Sequence, residues 1–89
     1  MITPENITMH ELIGLDTTIV QSNNEKIVGL SGKVIDETKS MLILNTEKGI
    51  KKIPKDKSHW KFSLENAEAV VAGNMLTKRP QERIGSRHG

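Results

Sequence analysis

The sequence predicts a mainly β protein: six short strands forming one small antiparallel barrel, with a short amino-terminal helix and a weak carboxy-terminal one. Three observations carry that expectation. Short apolar, β-branched runs recur along the chain between clusters of turn-forming residues. No helical stretches alternate with them, which argues against a parallel α/β sheet. Finally, 89 residues suffice for one domain with one compact core and leave little room for a large enzyme cleft.

The strand pair at the centre is Gly29 to Leu44. Gly29 and Gly32 precede the run Val34-Ile35, where they allow tight curvature or a close strand approach, and the polar segment Asp36 to Ser40 offers side-chain oxygens to a turn. The second arm, Met41 to Thr46, has Leu42 and Leu44 on one face and Met41 and Ile43 on the other, so both faces are expected to be covered.

Before this hairpin, Thr3-Pro4-Glu5 reads as a helix start, with Thr3 as cap and Pro4 in the first helical position. Ile2 and Ile7 are spaced for a hydrophobic staple, Met9, Leu12 and Ile13 share a helical face, and Gly14 ends the helix. A helix this short is marginal in water and needs the barrel or a partner to hold it. Residues 1 to 14 are therefore assigned to this helix, 15 to 76 to the barrel and 77 to 89 to a basic tail.

The first strand runs from Leu15 to Gln21, and the loop Ser22-Asn23-Asn24-Glu25 leads to a second strand over Ile27 to Asp36. After the Glu47-Lys48-Gly49 turn, a fourth strand ends at Pro54, which would interrupt a ladder. Trp60, Phe62 and Leu64 then alternate with His59, Lys61 and Ser63. The two aromatic residues are read as core, with base stacking as the lesser alternative. A last strand covers Ala67 to Ala72, and Pro80 opens a weak helix whose one apolar residue is Ile84. Six strands in this order make a barrel of the Sm-like or SH3-like type.

With no cysteine and three scattered histidines, the chain offers no disulfide framework and a poor metal-ligand set. It has neither a membrane-length apolar run nor a basic-then-apolar leader, so the cytoplasm is the default location and no membrane partner is expected. His10-Glu11-Leu12-Ile13-Gly14 begins like a zinc-protease helix but lacks the second histidine. Gly29-Leu30-Ser31-Gly32 has the spacing of a nucleotide-clamping loop but leads into a strand rather than joining two helices. No catalytic constellation emerges from these spacings.

Charge is what remains. Residues 1 to 47 carry a net −4 and residues 48 to 89 a net +6. A basic half set against an acidic one suits contact with nucleic acid on one side and another partner elsewhere. The candidate phosphate contacts are Lys52, Lys55, Lys57, Lys61, Lys78, Arg79, Arg83 and Arg87; the candidate barrel or partner contacts are Met9, Leu12 and Ile13. With few aromatics for stacking, structured RNA fits better than a single strand. A protein-interaction adaptor, or a ribosomal or Sm-type RNA-binding protein, remains an alternative.

Several short motifs occur in order: Asn6-Ile7, His10-Glu11-Leu12-Ile13-Gly14-Leu15, Gly29-x-x-Gly32-x-Val34-x-Asp36-Glu37-Thr38 with Leu42, Ile53-Pro54-Lys55, and Gly73-x-x-Leu76-x-x-Arg79-Pro80-x-x-Arg83. Together they resemble archaeal RNase P protein component 1, the small-barrel subunit shared with eukaryotic RNase P and RNase MRP. The resemblance implies an Sm-like barrel that is a non-catalytic, RNA-binding subunit of the ribonucleoprotein removing the 5′ leader from precursor tRNA. It implies that the RNA carries the active site and uses divalent metal, so this chain binds no cofactor. The implied partners are the RNase P RNA, protein component 4, which is a zinc-ribbon subunit, and other RNase P proteins; the isolated chain is expected to be a monomer. By position, Arg79-Pro80-x-x-Arg83 and the first helix fall at the RNA and partner surfaces. The chain departs from the family at Glu65-Asn66-Ala67, where a Pro-Asp-Gly type turn is common.

Overall fold

Alternation and turn chemistry produce six strands in the computed structural model, which describes residues 2–77, the Met9 side chain excepted. They are β1 (Asp16–Ser22), β2 (Ser31–Glu37), β3 (Met41–Thr46), β4 (Gly49–Pro54), β5 (Ser58–Ser63) and β6 (Glu68–Ala72). All pairings are antiparallel, in the sheet order β4-β3-β2-β1-β5-β6. No ladder joins β4 to β6, so the barrel is an open, curled sheet rather than a hydrogen-bonded cylinder.

Chain geometry forces the curl. Four strand spacings separate β4 from β5 in the sheet order, ~19 Å if the sheet were flat. The connection from Pro54 to Ser58 takes four Cα steps and spans at most ~14 Å. Two irregularities help the sheet bend: the β1–β5 register shifts around Val20 and the β2–β3 register around Ile35, each a bulge that kinks its strand. Both predicted glycine roles occur in β2 and its approach. Gly29 has a φ of +90°, and a Cβ on Gly32 would lie 2.7 Å from the Asn45 carbonyl oxygen of β3.

The inner face collects Ile19, Val34, Leu42, Leu44, Trp60 and Phe62, all essentially inaccessible to solvent. Trp60 and Phe62 are thus core residues, and Trp60 Nε1 donates to the Lys55 carbonyl at 3.1 Å, which satisfies its polar atom. Both faces of β3 are covered: Leu42, Ile43 and Leu44 are buried and Met41 is half-buried. The Glu65-Asn66-Ala67 turn closes the β5–β6 hairpin with the Leu64 N–H donating to the Ala67 carbonyl at 2.8 Å.

The expected amino-terminal helix is reduced to a single 3-10 turn, Ile7–Met9. Thr3 does not cap it; instead the Thr3 N–H donates to Asn6 Oδ1 at 2.7 Å, and His10 is already extended. The Leu12 N–H, which a continuing helix would bond internally, donates to Glu37 Oε1 at 3.4 Å. Tertiary anchoring of Ile7 and Leu12, both buried, replaces helical hydrogen bonding. The second strand starts at Ser31 rather than Ile27, because Asn24 caps a 3-10 turn at Glu25–Ile27 by accepting from the Lys26 N–H. The weak helix expected from Pro80 lies outside the described residues; after β6 the described chain ends in a 3-10 turn, Gly73–Leu76.

Candidate nucleic-acid interface

Among the described residues β4 has one strand neighbour, β3, and it carries Lys51 and Lys52, both exposed, with Lys48 in the turn before it. Lysines on an edge strand keep its unpaired backbone from pairing with another chain, and they also leave a line of cations in water. Lys48 and Lys26 both line an open cleft of about 460 Å³, Lys26 from the 3-10 turn Glu25–Ile27. Sequence reasoning passed over Lys26 because it belongs to the net-acidic half of the chain; its juxtaposition with Lys48 arises only when β2 pairs with β3. Glu47 is the acid in this cleft.

Of the candidate phosphate contacts, Lys52 is exposed on β4 and Lys57 is exposed in the β4–β5 connection, and neither forms an ion pair among the described residues. Lys61 is half-buried on β5, with its ammonium 3.5 Å from Glu68 Oε2. A pair this exposed contributes little to stability, so the ammonium can exchange partners at small cost. Lys78, Arg79, Arg83 and Arg87 lie outside the described residues.

Lys55, expected at a phosphate, is instead a buried structural residue. Its side chain is completely buried and cannot meet a phosphate in this structure. Nζ donates to Glu37 Oε2 at 2.7 Å and to the Lys39 carbonyl at 3.3 Å, while the Glu37 side chain is itself fully buried. An unpaired ammonium in that position would carry a large desolvation penalty, which the carboxylate and the carbonyl offset. The backbone of Lys55 is equally engaged: its N–H donates to the Ser40 carbonyl at 2.8 Å, and its carbonyl accepts from Trp60. Lys55 therefore fastens the β4–β5 connection to the turn that joins β2 and β3.

The partner candidates divide in the same way. Leu12 is buried in the chain's own core, so it serves the barrel and is not free for another protein, because the segment before β1 folds back onto β2. Ile13, by contrast, is 46% exposed. The Met9 side chain lies outside what is described. Among the described residues, no three His, Cys, Asp or Glu side chains gather into a metal-binding group, and no helix is long and apolar enough to cross a membrane.

Fold and surface together define a small curled β module that presents one lysine-bearing edge and open clefts. The family model described as "Ribonuclease P/MRP, subunit p29" matches residues 5–86. A protein named Ribonuclease P protein component 1 from Nitrosopumilus maritimus is 52% identical over 87 residues, covering 98% of this chain and 99% of that protein. A second protein of that name, from Methanocaldococcus jannaschii, is 45% identical over 85 residues, covering 94% and 90%. The solved structure of Mth11, described as a homologue of human RNase P protein Rpp29, superposes with a TM-score of 0.59 at 36% identity, covering 84% of this chain and 99% of that one. The chain belongs to the ribonuclease P/MRP subunit p29 family.

Proposed function

We propose that this chain is an RNA-binding protein subunit of ribonuclease P, acting in the removal of the 5′ leader from precursor tRNA. The observation that carries the reading is the near-full-length similarity to relatives named Ribonuclease P protein component 1. The accessible cations of β4 and of the β4–β5 connection support it physically, since phosphate contacts by Lys and Arg supply most sequence-independent affinity for nucleic acid. In this reading the chain contributes no reacting group; the RNA supplies the active site and uses the divalent metal. Lys52, Lys57 and Lys61, together with Lys78, Arg79, Arg83 and Arg87, form the phosphate-contacting set.

The protein partner is protein component 4, the zinc-ribbon subunit, and the exposed Ile13 beside the acidic amino-terminal half is its contact candidate. The assembly works in the cytoplasm. Reconstituting precursor-tRNA cleavage from the RNA and its companion subunits, with and without this chain, tests the reading. Its addition is expected to raise the cleavage rate at limiting divalent metal; a rate that does not respond rejects it. Reversing charge at Arg79 and Arg83 should weaken RNA binding and leave the circular dichroism spectrum unchanged, and unchanged affinity would remove both residues from the interface.

A further inference from the structure

A second open cleft, of about 430 Å³, lies where the end of β1, the β4–β5 connection and the 3-10 turn Gly73–Leu76 meet. Its volume falls within the range of small-ligand sites. The floor is rigidly built. Ser58 is buried and donates through Oγ to Ser22 Oγ at 3.0 Å; Ser22 Oγ in turn donates to the Lys57 carbonyl at 3.3 Å and accepts from the Asn24 N–H at 3.1 Å. Gly73 is also buried, and a Cβ there would overlap the Lys55 carbonyl oxygen, so the turn that forms one wall is held against the connection that forms the other.

The rim is the opposite. The side chains of Gln21, Asn23, Asp56, Lys57, His59 and Asn74 line this cleft and make no hydrogen bond or ion pair among the described residues; Asp56 is its one acid, next to Lys57 in the chain. Gln21, His59 and Ala72 form one cross-strand row over β1, β5 and β6, which sets the half-buried imidazole between an amide and a small apolar residue. The first cleft differs in kind. There the Thr46 hydroxyl donates to the Gly49 carbonyl and accepts from the Lys48 N–H, and the Ser31 hydroxyl meets that of Thr18, so its neutral polar groups are already paired and only its charges are open. One cleft thus offers charge alone; the other adds unpaired primary amides and an aromatic ring on a rigid floor.

Primary amides match the donor and acceptor pairs on base edges, an imidazole face stacks on a base, and an ammonium meets a phosphate. We propose that the second cleft seats a single unstacked nucleotide of the RNA this chain binds. Asn23 and Asn74 hydrogen-bond the base edge, His59 supplies a stacking face and Lys57 takes the phosphate. The inference rests on the RNA-binding function proposed for the chain and adds to it a point of base readout on a surface otherwise suited to shape and charge. A free nucleoside monophosphate presents the same chemistry, and the test separates the two sources.

Isotope-labelled full-length chain is titrated with AMP, GMP, CMP and UMP while backbone amide resonances are followed; filter binding then measures affinity for the ribonuclease P RNA across a salt series. Mononucleotides are expected to shift the amides of Asn23, Lys57, His59 and Asn74, one base most strongly. N23A and N74A, both at exposed positions, should remove those shifts and weaken RNA binding about tenfold each without altering the salt slope. K57A should instead reduce that slope by about one. RNA affinity that stays within twofold of the parent in both asparagine variants overturns the nucleotide seat and leaves the RNA-binding subunit standing. Mononucleotide shifts without any response in RNA binding also overturn it, by identifying a free-nucleotide site. Failure of the parent chain to bind the RNA removes both proposals together.

Discussion

At the residue scale, the decisive side chain is Lys55. It sits in a stretch that reads Lys51-Lys52-Ile53-Pro54-Lys55-Asp56-Lys57, and local sequence gives no reason to treat it differently from the other lysines. Its partner Glu37 is 18 residues away, so the distinction exists only in the folded chain. Replacing Lys55 by Met or Glu37 by Leu alone should each cost ~3–5 kcal/mol in urea denaturation, because either change removes the opposite charge that lies 2.7 Å from a buried one. The double replacement should cost much less than the sum, since no charge is then left behind. Additive losses would show that the pair is not energetically coupled. Gly73 is the second sensitive position. Alanine there would overlap the Lys55 carbonyl oxygen and come within 2.5 Å of that of Ser58, both main-chain atoms that cannot swing aside. A loss of ~3 kcal/mol or more is expected, seen calorimetrically as a fall in Tm of more than about 12 °C.

At the element scale, strands were legible and the amino-terminal helix was not. Alternation in Trp60-Lys61-Phe62 and the turn clusters around it depend on neighbours in the chain, and β3 and β5 fall within a residue of their expected limits. The amino-terminal helix failed because tertiary anchoring overrode a local signal. Thr3-Pro4-Glu5-Asn6 satisfies the cap pattern, but Asn6 accepts from the Thr3 N–H, and the buried anchors Ile7 and Leu12 leave only one 3-10 turn between them. The open sheet likewise was beyond sequence, because strand count does not say whether the first and last edges meet. β4 bears the consequence of that openness. Its exposed residues Ile50, Lys51 and Lys52 lie along a free edge, and the two ammonium groups are what deter pairing with another chain. Changing both Lys51 and Lys52 to Val should leave the β signature in circular dichroism intact while light scattering rises on refolding at micromolar concentration. A double variant that stays monodisperse would assign the lysines to RNA alone.

For the whole molecule, the charge asymmetry along the sequence does not become two clean hemispheres. Lys26 from the acidic half joins Lys48 from the basic half in one cleft, and Lys55 leaves the surface altogether. The candidate interface was therefore half legible: charge composition pointed to nucleic acid, but only the strand order shows which cations share an edge. If four to six phosphates are neutralised, affinity for the RNA should fall by about 10²- to 10³-fold between 50 and 200 mM salt in filter binding. An affinity indifferent to salt would contradict a phosphate-dominated interface. The curl that brings β4 round to β5 also gives the protein a built-in optical probe. Trp60 is the sole tryptophan, its indole N–H points at the carbonyl of the residue that fastens the curl, and no water reaches the ring. Its proton should exchange with deuterated solvent only when the whole sheet opens, and its emission should shift to the red in the same transition. One resonance and one fluorophore thus report, without labelling, whether the curled sheet stays intact when RNA arrives.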